Sequence, residues 1–190
     1  MTNRPCLDKQ ALELQMRLVC EKNGYDFSKF EDAIKHAFIG WFSRSMATAV
    51  FVFCMDKDGK WHILASERGE EAADFRGKWN CVCGYLDYSE TMIECAAREL
   101  YEEVGLKLSH DLFTFYSIND KVTENRQNVT FRYFVKITDR TIDDFEFSKD
   151  NNEGKEVGEI KWIPVDEIDN FEWAFDHDSI VKEIFSQKVL

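Results

Sequence analysis

The stretch from residue 91 to residue 105 is the helix that the sequence specifies most tightly. Thr91 can cap its first turn, and Glu94 follows three residues later, as in a capping box. Gly105 is suited to end the helix, because glycine tolerates the left-handed conformation found there. At about 100° per residue, one face carries the apolar side chains of Ile93, Ala96, Ala97, Leu100 and Val104. The pattern predicts an amphipathic helix that packs through this face.

The end of this helix concentrates negative charge. Glu99, Glu102 and Glu103 lie in its last turns, where the helix dipole favours cations. Glu99 and Glu103 also repel each other at i,i+4 spacing, and no Lys or Arg follows at a compensating position on that face before Gly105. By helical phase, we expect the three carboxylates on the face opposite the apolar one.

Two interpretations of this acidic face are open. A solvated surface is the simpler one, because glutamate favours helices and runs of charge are usually exposed to water. A site for a divalent cation is the other. Such a cation would be attracted both by the three carboxylates and by the negative end of the helix dipole, and it would offset the repulsion between the carboxylates. Clustered carboxylate oxygens are hard ligands suited to Mg²⁺ or Mn²⁺, and the bound metal can receive phosphate oxygens.

Apolar and polar residues elsewhere alternate in runs typical of β-strands. The runs at 47–55 and 61–65 flank a polar turn at 56–59 and predict a hairpin. Further strands are predicted at 79–83, 112–118, 129–137 and 159–164. Because strands and helices are interspersed along the chain, the sequence predicts a mixed α/β layered domain.

Three more helices are predicted, two of them before the first strand. Asp8 can cap a helix that runs to residue 22, and Ser28 with Glu31 can form a capping box for the second. These helices can pack on the domain, cover its cleft or form a dimer contact, and plain packing is the simplest interpretation. A last helix at 178–187 is expected to turn four side chains inward, those of Ile180, Val181, Ile184 and Phe185.

Charge and composition exclude several classes of partner. The net charge of -12 repels phosphate backbones and anionic membranes, so we expect neither duplex nucleic acid nor a membrane as partner. No apolar run has membrane-spanning length. The first ten residues lack the apolar stretch of a secretory signal, so a cytoplasmic location is expected.

The six cysteines are interpreted as reduced thiols, because no CxxC occurs and three of them sit in apolar runs. A zinc site that uses Cys81 and Cys83 is the functional alternative. It is the weaker one, because two cysteines one residue apart in a strand are sterically poor ligands and no histidine is near them in the sequence.

Residues 84–106 resemble the signature of a known family. Their sequence, GYLDYSETMIECAARELYEEVGL, matches the pattern Gx5Ex7REUxEExGU of Nudix hydrolases, in which U is a bulky aliphatic residue. The resemblance implies a Nudix-type α/β/α sandwich with a mixed sheet at residues 46–190, preceded by an N-terminal helical extension at 1–45. All constrained positions are filled, by Gly84, Glu90, Arg98, Glu99, Leu100, Glu102, Glu103, Gly105 and Leu106.

The resemblance also implies an activity. Nudix hydrolases use a divalent metal, Mg²⁺ or Mn²⁺, to cleave the diphosphate linkage of a nucleoside diphosphate derivative by attack of water. By similarity, Glu99, Glu102 and Glu103 would hold the metal, and Glu99 would take a proton from the attacking water. We expect Arg98 to orient these carboxylates together with Glu90, through charge-assisted hydrogen bonds.

Two further metal ligands are implied. The backbone carbonyl of Cys83 would be one, although many relatives have glycine at this position. A carboxylate from the loop before the late tryptophan strand would be the other. Glu156 is the first choice, with Glu153 and Glu159 behind it, and a solvated acidic loop is an equally good interpretation for each.

The choice of substrate is less constrained. The family's downstream proline marker of ADP-ribose-type substrates is missing, and no motif for coenzyme A or reduced dinucleotides is visible. Five loop residues could contact the phosphate, ribose or base of a small nucleotide derivative, although ordinary loop surface explains each of them singly: Arg76, Lys78, Tyr85, Arg126 and Gln127.

Two alternative functions stay open. One is a non-catalytic Nudix domain that senses a ligand, and the other is a Nudix-fold isomerase that acts on a prenyl diphosphate. Regulators of the first kind often lose carboxylates of the signature, whereas this chain keeps them all.

Overall fold

The apolar run that begins at Met46 forms the central strand of the sheet. The computed structural model describes residues 9–29, 45–87, 89–122, 128–148 and 155–187, and the strand, β1, spans Met46–Met55. Every side chain from Ala47 to Cys54 is buried. The strand is therefore covered on both faces, which explains why its sequence is almost continuously apolar.

Six more strands complete the sheet. They are β2 (Trp61–Arg68), β3 (Trp79–Asn80), β4 (Val82–Tyr85), β5 (Thr114–Asn119), β6 (Val129–Thr141) and β7 (Val157–Pro164). One edge of β1 pairs with β6 in parallel, and the other pairs antiparallel with β4 and then β2. β3 and β7 pair with β2, and β5 pairs with β6, all antiparallel. This seven-stranded mixed sheet confirms the predicted α/β class.

Among the described residues, one helix packs on each face of the sheet. The helix α2 (Met92–Val104) packs its Ala96, Leu100 and Val104 on the even-numbered side chains of β1. The helix α3 (His177–Ser186) packs its Ile180, Val181 and Ile184 on the odd-numbered ones. The alternation of side chains along β1 therefore divides the core into two layers, as an α/β/α sandwich requires.

The N-terminal extension contains one described helix, α1 (Lys9–Lys22), which matches the helix predicted over 8–22. Asp8, its expected cap, and Glu31, from the second predicted helix, lie outside the described residues. Ser28 belongs to a short 3-10 turn, where both its N–H and its hydroxyl donate to Asp26. No helix among the described residues is long and apolar enough to cross a membrane.

Several element boundaries differ from the predicted ones. The strand expected at 79–83 is divided into β3 and β4, and a 3-10 turn at His110–Leu112 delays the start of β5 to Thr114. The strands β2, β6 and β7 extend beyond their predicted ranges. In each case backbone pairing, rather than the local alternation of side chains, sets the end of the strand.

The prediction that Phe185 faces inward is wrong. Ile180, Val181 and Ile184 are buried, whereas Phe185 is 43% exposed. At about 100° per residue, Phe185 falls beyond the edge of the arc that these three residues form.

Replacement of Phe51 by Ala tests this packing. Phe51 is fully buried in the layer under α3, so the substitution should lower the free energy of unfolding by about 3–5 kcal/mol. Phe185→Ala is the matched control, because the same loss of a ring at an exposed position should change it by less than about 0.5 kcal/mol. Urea unfolding measures both changes in the free energy of unfolding. Similar changes for the two variants would contradict the assignment of Phe51 to the core layer under α3.

Candidate metal-binding and catalytic site

Both ends of α2 are fixed by hydrogen bonds that the sequence predicts. The backbone N–H of Glu94 donates to Thr91 Oγ1 at 3.3 Å, and the N–H of Thr91 donates to Glu94 Oε2 at 2.7 Å. Gly105 ends the helix with φ of 75°. The predicted capping box and glycine stop are therefore confirmed, and they determine which side chains of α2 meet the sheet.

Two of the three glutamates at the end of α2 are buried. Glu99 is 3% exposed and Glu103 is 7% exposed, whereas Glu102 is only half-buried. The expectation that all three lie opposite the apolar face is wrong, because the buried arc of α2 also includes the side of the helix that carries Cys95 and Glu99. A purely solvated surface is likewise excluded for Glu99 and Glu103.

The backbone of β4 makes room for these carboxylates. A Cβ atom at residue 84 would overlap the carboxyl group of Glu99, so only glycine permits this approach. One residue earlier, the N–H of Cys83 donates to Glu103 Oε1 at 3.3 Å. The side chains of Glu99 and Glu103 therefore lie against the backbone of Cys83 and Gly84.

Arg98 links the glutamates at this end of α2 to Glu90 through hydrogen bonds. Its Nη1 donates to Glu99 Oε1 and Glu102 Oε2, both at 2.9 Å, and its Nη2 donates to the carbonyl of Tyr85 at 3.0 Å. Its Nε and Nη2 donate to the two oxygens of Glu90 at 3.0 and 2.7 Å. These carboxylates, Glu90 first, raise the pKa of Arg98 above its usual value, so the guanidinium stays charged.

The network also corrects the expectation that no cation compensates the acidic helix end. Arg98 pairs with Glu102 at i,i+4 and with Glu99 next to it in sequence. The hydrogen bond from Arg98, in turn, holds the pKa of Glu90 below its usual value. The long side chain of Arg98 also extends to the Tyr85 carbonyl on β4. Helical spacing along the sequence does not predict this contact.

The donor set fits a hard divalent cation in its chemistry. Glu99, Glu102 and Glu103 supply carboxylate oxygens, two from each side chain. In the described ranges, however, no three acidic, histidine or cysteine side chains converge on one point that could hold a metal. In this arrangement Arg98 draws Glu99 and Glu102 towards itself.

The Cys81 and Cys83 thiols are poorly suited to the alternative zinc site. Burial, reinforced by the Glu103 carboxylate, raises the pKa of Cys83 to about 12, and burial raises that of Cys81 as well. The fold does bring a histidine close, since the N–H of Cys81 donates to His177 Nδ1 at 3.0 Å. That contact uses the backbone of Cys81, while its thiol lies in the core.

The predicted carboxylate ligand Glu156 lies next to the loop that follows β2. Its carbonyl accepts a hydrogen bond from the N–H of Gly69 at 2.7 Å, and its side chain is half-buried. Glu159 is exposed and pairs with Lys161 at 3.1 Å. Glu153 lies outside the described residues.

The predicted substrate-binding residues have separate environments. Arg76 lines a cleft of about 580 Å³, whose other walls come from residues 67–70, 77, 155, 157 and 158. Lys78 pairs with Glu172 at 3.6 Å, and Tyr85 contributes its carbonyl to Arg98. Arg126 and Gln127 lie outside the part of the chain that the structure describes.

Arg68 is the residue that sequence reasoning missed in this cleft. It donates to the backbone and side chain of Asp74 at 2.8 and 2.6 Å, and its guanidinium stacks on Phe175 at 4.9 Å. Its charge acts to lower the pKa of Cys83 against the effect of burial, so the cleft adjoins the strand that supports the carboxylates. The structure extends β2 to Arg68, three residues beyond the predicted end at residue 65, so the sequence alone did not place this side chain at the end of a strand.

Replacement of Arg98 by Met should destabilise the fold by about 2–4 kcal/mol near neutral pH, because it leaves Glu99 and Glu90 without their cation. Above its unfolded pKa, a carboxylate with a lowered folded pKa contributes stability, and this contribution is lost as pH falls through the folded value. The difference from the wild type should therefore shrink under acidic conditions.

Urea unfolding at several pH values measures this difference. Arg140→Met is the control, since Arg140 is exposed and pairs with the neighbouring Asp139 at 3.1 Å. It should change the free energy of unfolding by less than about 0.5 kcal/mol. A loss for Arg98→Met as small as the control's would contradict the bridging role of Arg98.

Comparison with known proteins agrees with this geometry. The family model of the NUDIX domain matches residues 46–184. The Nudix domain of Shewanella oneidensis NrtR, solved with ADP ribose, is 16% identical, with a TM-score of 0.62 over 78% of this chain and 90% of that one. A MutT/nudix family protein from Enterococcus faecalis is 15% identical, with a TM-score of 0.63 over 97% and 76%.

A bifunctional NMN adenylyltransferase/ADP ribose pyrophosphatase from Francisella tularensis, solved with AMP and a manganese ion, is also similar. It is 18% identical, with a TM-score of 0.59 over 84% of this chain and 47% of that one. At such identities the structural likenesses establish the fold, and the family model, which spans most of the chain, establishes the family. The chain belongs to the Nudix hydrolase family.

Proposed function

We propose that this protein is a metal-dependent pyrophosphohydrolase that cleaves the diphosphate linkage of a nucleoside diphosphate derivative by attack of water. One observation carries the proposal: two glutamates at the end of α2 are buried against the backbone of Cys83 and Gly84, with a third beside them. Buried carboxylates are costly in free energy unless they are paired or coordinate a metal.

The residues proposed to hold Mg²⁺ or Mn²⁺ are Glu99, Glu102 and Glu103, with the carbonyl of Cys83 and a carboxylate from Glu156. When bound, the metal neutralises the negative charge of the diphosphate and stabilises the leaving oxygen. Such neutralisation matters here because the chain carries a net charge of -12 and would otherwise repel the substrate.

The chain's own residues then direct the proton and the reacting atoms. Glu99 accepts a proton from water, whose oxygen forms a bond to one phosphorus while the bond from that phosphorus to the bridging oxygen breaks. The bridging oxygen leaves with the second phosphate. Arg98, bonded to Glu90 and Tyr85, keeps the carboxylates oriented during this step.

The cleft lined by Arg76 is the proposed binding site for the phosphate or sugar of the leaving group. Its lining carries three cations, Arg68, Arg76 and Lys155, against the two carboxylates of Glu67 and Glu70, in a strongly acidic protein. Lys155 directly precedes Glu156, so one segment would serve both the cleft and the metal. Two similar proteins were solved with ADP ribose and with AMP and manganese, which makes these compounds the first ligands to test.

Substitution of the acidic cluster tests the activity. Glu102→Gln and Glu103→Gln should each lower kcat/KM by more than about 100-fold, because an amide oxygen is a neutral and weaker ligand for a hard cation. Glu159→Gln is the matched control, since Glu159 is exposed and pairs with Lys161. The assay follows phosphorylated products from a panel of nucleoside diphosphate derivatives, ADP ribose first, with Mg²⁺ or Mn²⁺ and with chelator.

The outcomes separate the alternatives. Metal-dependent turnover that only the two cluster variants lose supports the hydrolase. Tight binding of a panel member by the wild type, without turnover of any, would instead favour a ligand-sensing domain. Turnover that survives in both cluster variants would contradict the proposed site.

Arg76→Met tests the cleft. Loss of one hydrogen bond to a charged phosphate, worth about 1.5 kcal/mol, should raise KM roughly tenfold and leave kcat within about twofold. Arg140→Met is the control, because it removes an exposed cation that is paired with Asp139. An unchanged KM for Arg76→Met on the best substrate of the panel would exclude Arg76 from substrate binding.

A further inference from the structure

Thr48, on β1, is an anomaly in the core beneath α2. Its side chain is 0% exposed, and its hydroxyl has no hydrogen-bond partner among the residues that the structure describes. A buried hydroxyl without a partner loses its hydrogen bonds to water and destabilises the fold. Valine has the same shape, is a good strand former and carries no such cost, so packing alone does not account for a threonine at this position.

The register of the sheet places Thr48 beside the acidic cluster. Thr48 stands directly opposite Gly84 in the antiparallel pair of β1 and β4. It also lies on the same face as Val50 and Val52, which pack under α2. Its hydroxyl is therefore on the side of the sheet from which Glu99 approaches.

The surroundings of Gly84 show how close the Thr48 hydroxyl and the Glu99 carboxylate are. A Cβ atom on residue 84 would lie only 1.9–2.3 Å from the carboxyl atoms of Glu99. The Cβ atoms of two directly opposed residues in an antiparallel pair are about 4.5–5.5 Å apart. The Glu99 carboxylate therefore lies in the neighbourhood of the Thr48 side chain, where a shift of either side chain or one enclosed water allows a hydrogen bond.

We propose that the Thr48 hydroxyl is a positioning group for Glu99, to which it donates a hydrogen bond when that carboxylate holds the metal. Arg98 already donates to Glu99 Oε1 from the helix side, and Thr48 approaches from the sheet side. Carboxylates that ligate metals are themselves usually hydrogen-bonded, and these supporting bonds tune the affinity of the site. The inference rests on the proposed function, because it takes Glu99 as a metal ligand.

The test compares Thr48→Val with Thr48→Ser in the full chain. Thr48→Val should raise the melting temperature of the metal-free protein, because it removes an unpaired buried hydroxyl. It should also weaken Mn²⁺ binding about 10–100-fold and lower kcat by a similar factor, with little change in KM. Thr48→Ser keeps the hydroxyl and should bind Mn²⁺ within about threefold of the wild type, which a purely structural role does not predict.

Ser117→Ala is the matched control. Ser117 also carries a buried hydroxyl without a hydrogen-bond partner in the described part of the chain, but it lies on β5, which β6 separates from β1. Its removal should leave the Mn²⁺ affinity unchanged. If Thr48→Val does not fold, Thr48→Ala compared with Thr48→Ser decides the question, because these two variants differ by the hydroxyl alone.

Isothermal titration calorimetry with Mn²⁺ gives the affinities without reference to any substrate. Glu102→Gln identifies the site that is being titrated. Binding of Mn²⁺ by Thr48→Val as tightly as by the wild type would overturn the role of Thr48 and leave the proposed function intact. If the wild type binds no Mn²⁺ at the site that Glu102→Gln disrupts, the proposed function fails and the inference fails with it.

Discussion

The burial of Glu99 and Glu103 beside a glycine is the constraint on which the rest of the site depends. Removing a carboxylate from water costs of the order of several kcal/mol unless opposite charge and hydrogen bonds compensate. Arg98 supplies this compensation at Glu99, and the N–H of Cys83 supplies part of it at Glu103. Among the described residues, the one positive charge of Arg98 compensates only part of the negative charge of Glu90, Glu99, Glu102 and Glu103.

Rigid elements hold this costly arrangement in place. The central strand β1 is buried on both faces and pairs with β4 so that Gly84 stays under α2. Caps at both ends of α2 then fix the helix against that strand. Two local exceptions stand in this well-packed core, a glycine where a side chain would block the Glu99 carboxylate and, opposite it on β1, a threonine whose buried hydroxyl has no hydrogen-bond partner among the described residues.

The sequence predicts those features that depend on neighbours along the chain, such as the strands, the capping box and the helix stop. The orientation of Glu99 and Glu103 was wrongly predicted. The buried face of α2 is wider than its apolar stripe and includes these two glutamates. Arg98 was expected to orient the carboxylates, but its role as the cation that compensates the acidic helix end was not predicted, because it precedes the three glutamates instead of following them. The cleft beside Arg68 depends on contacts between distant segments, and no local pattern encodes such contacts.

A crystal structure with Mn²⁺, analysed by anomalous scattering, tests the central claim most directly. The predicted result is a manganese peak at about 2.0–2.2 Å from carboxylate oxygens of Glu99, Glu102 and Glu103, with Arg98 withdrawn from at least one of them. The contradicting result is saturating Mn²⁺ with no peak at these oxygens, while Arg98 keeps its bonds to both Glu99 and Glu102.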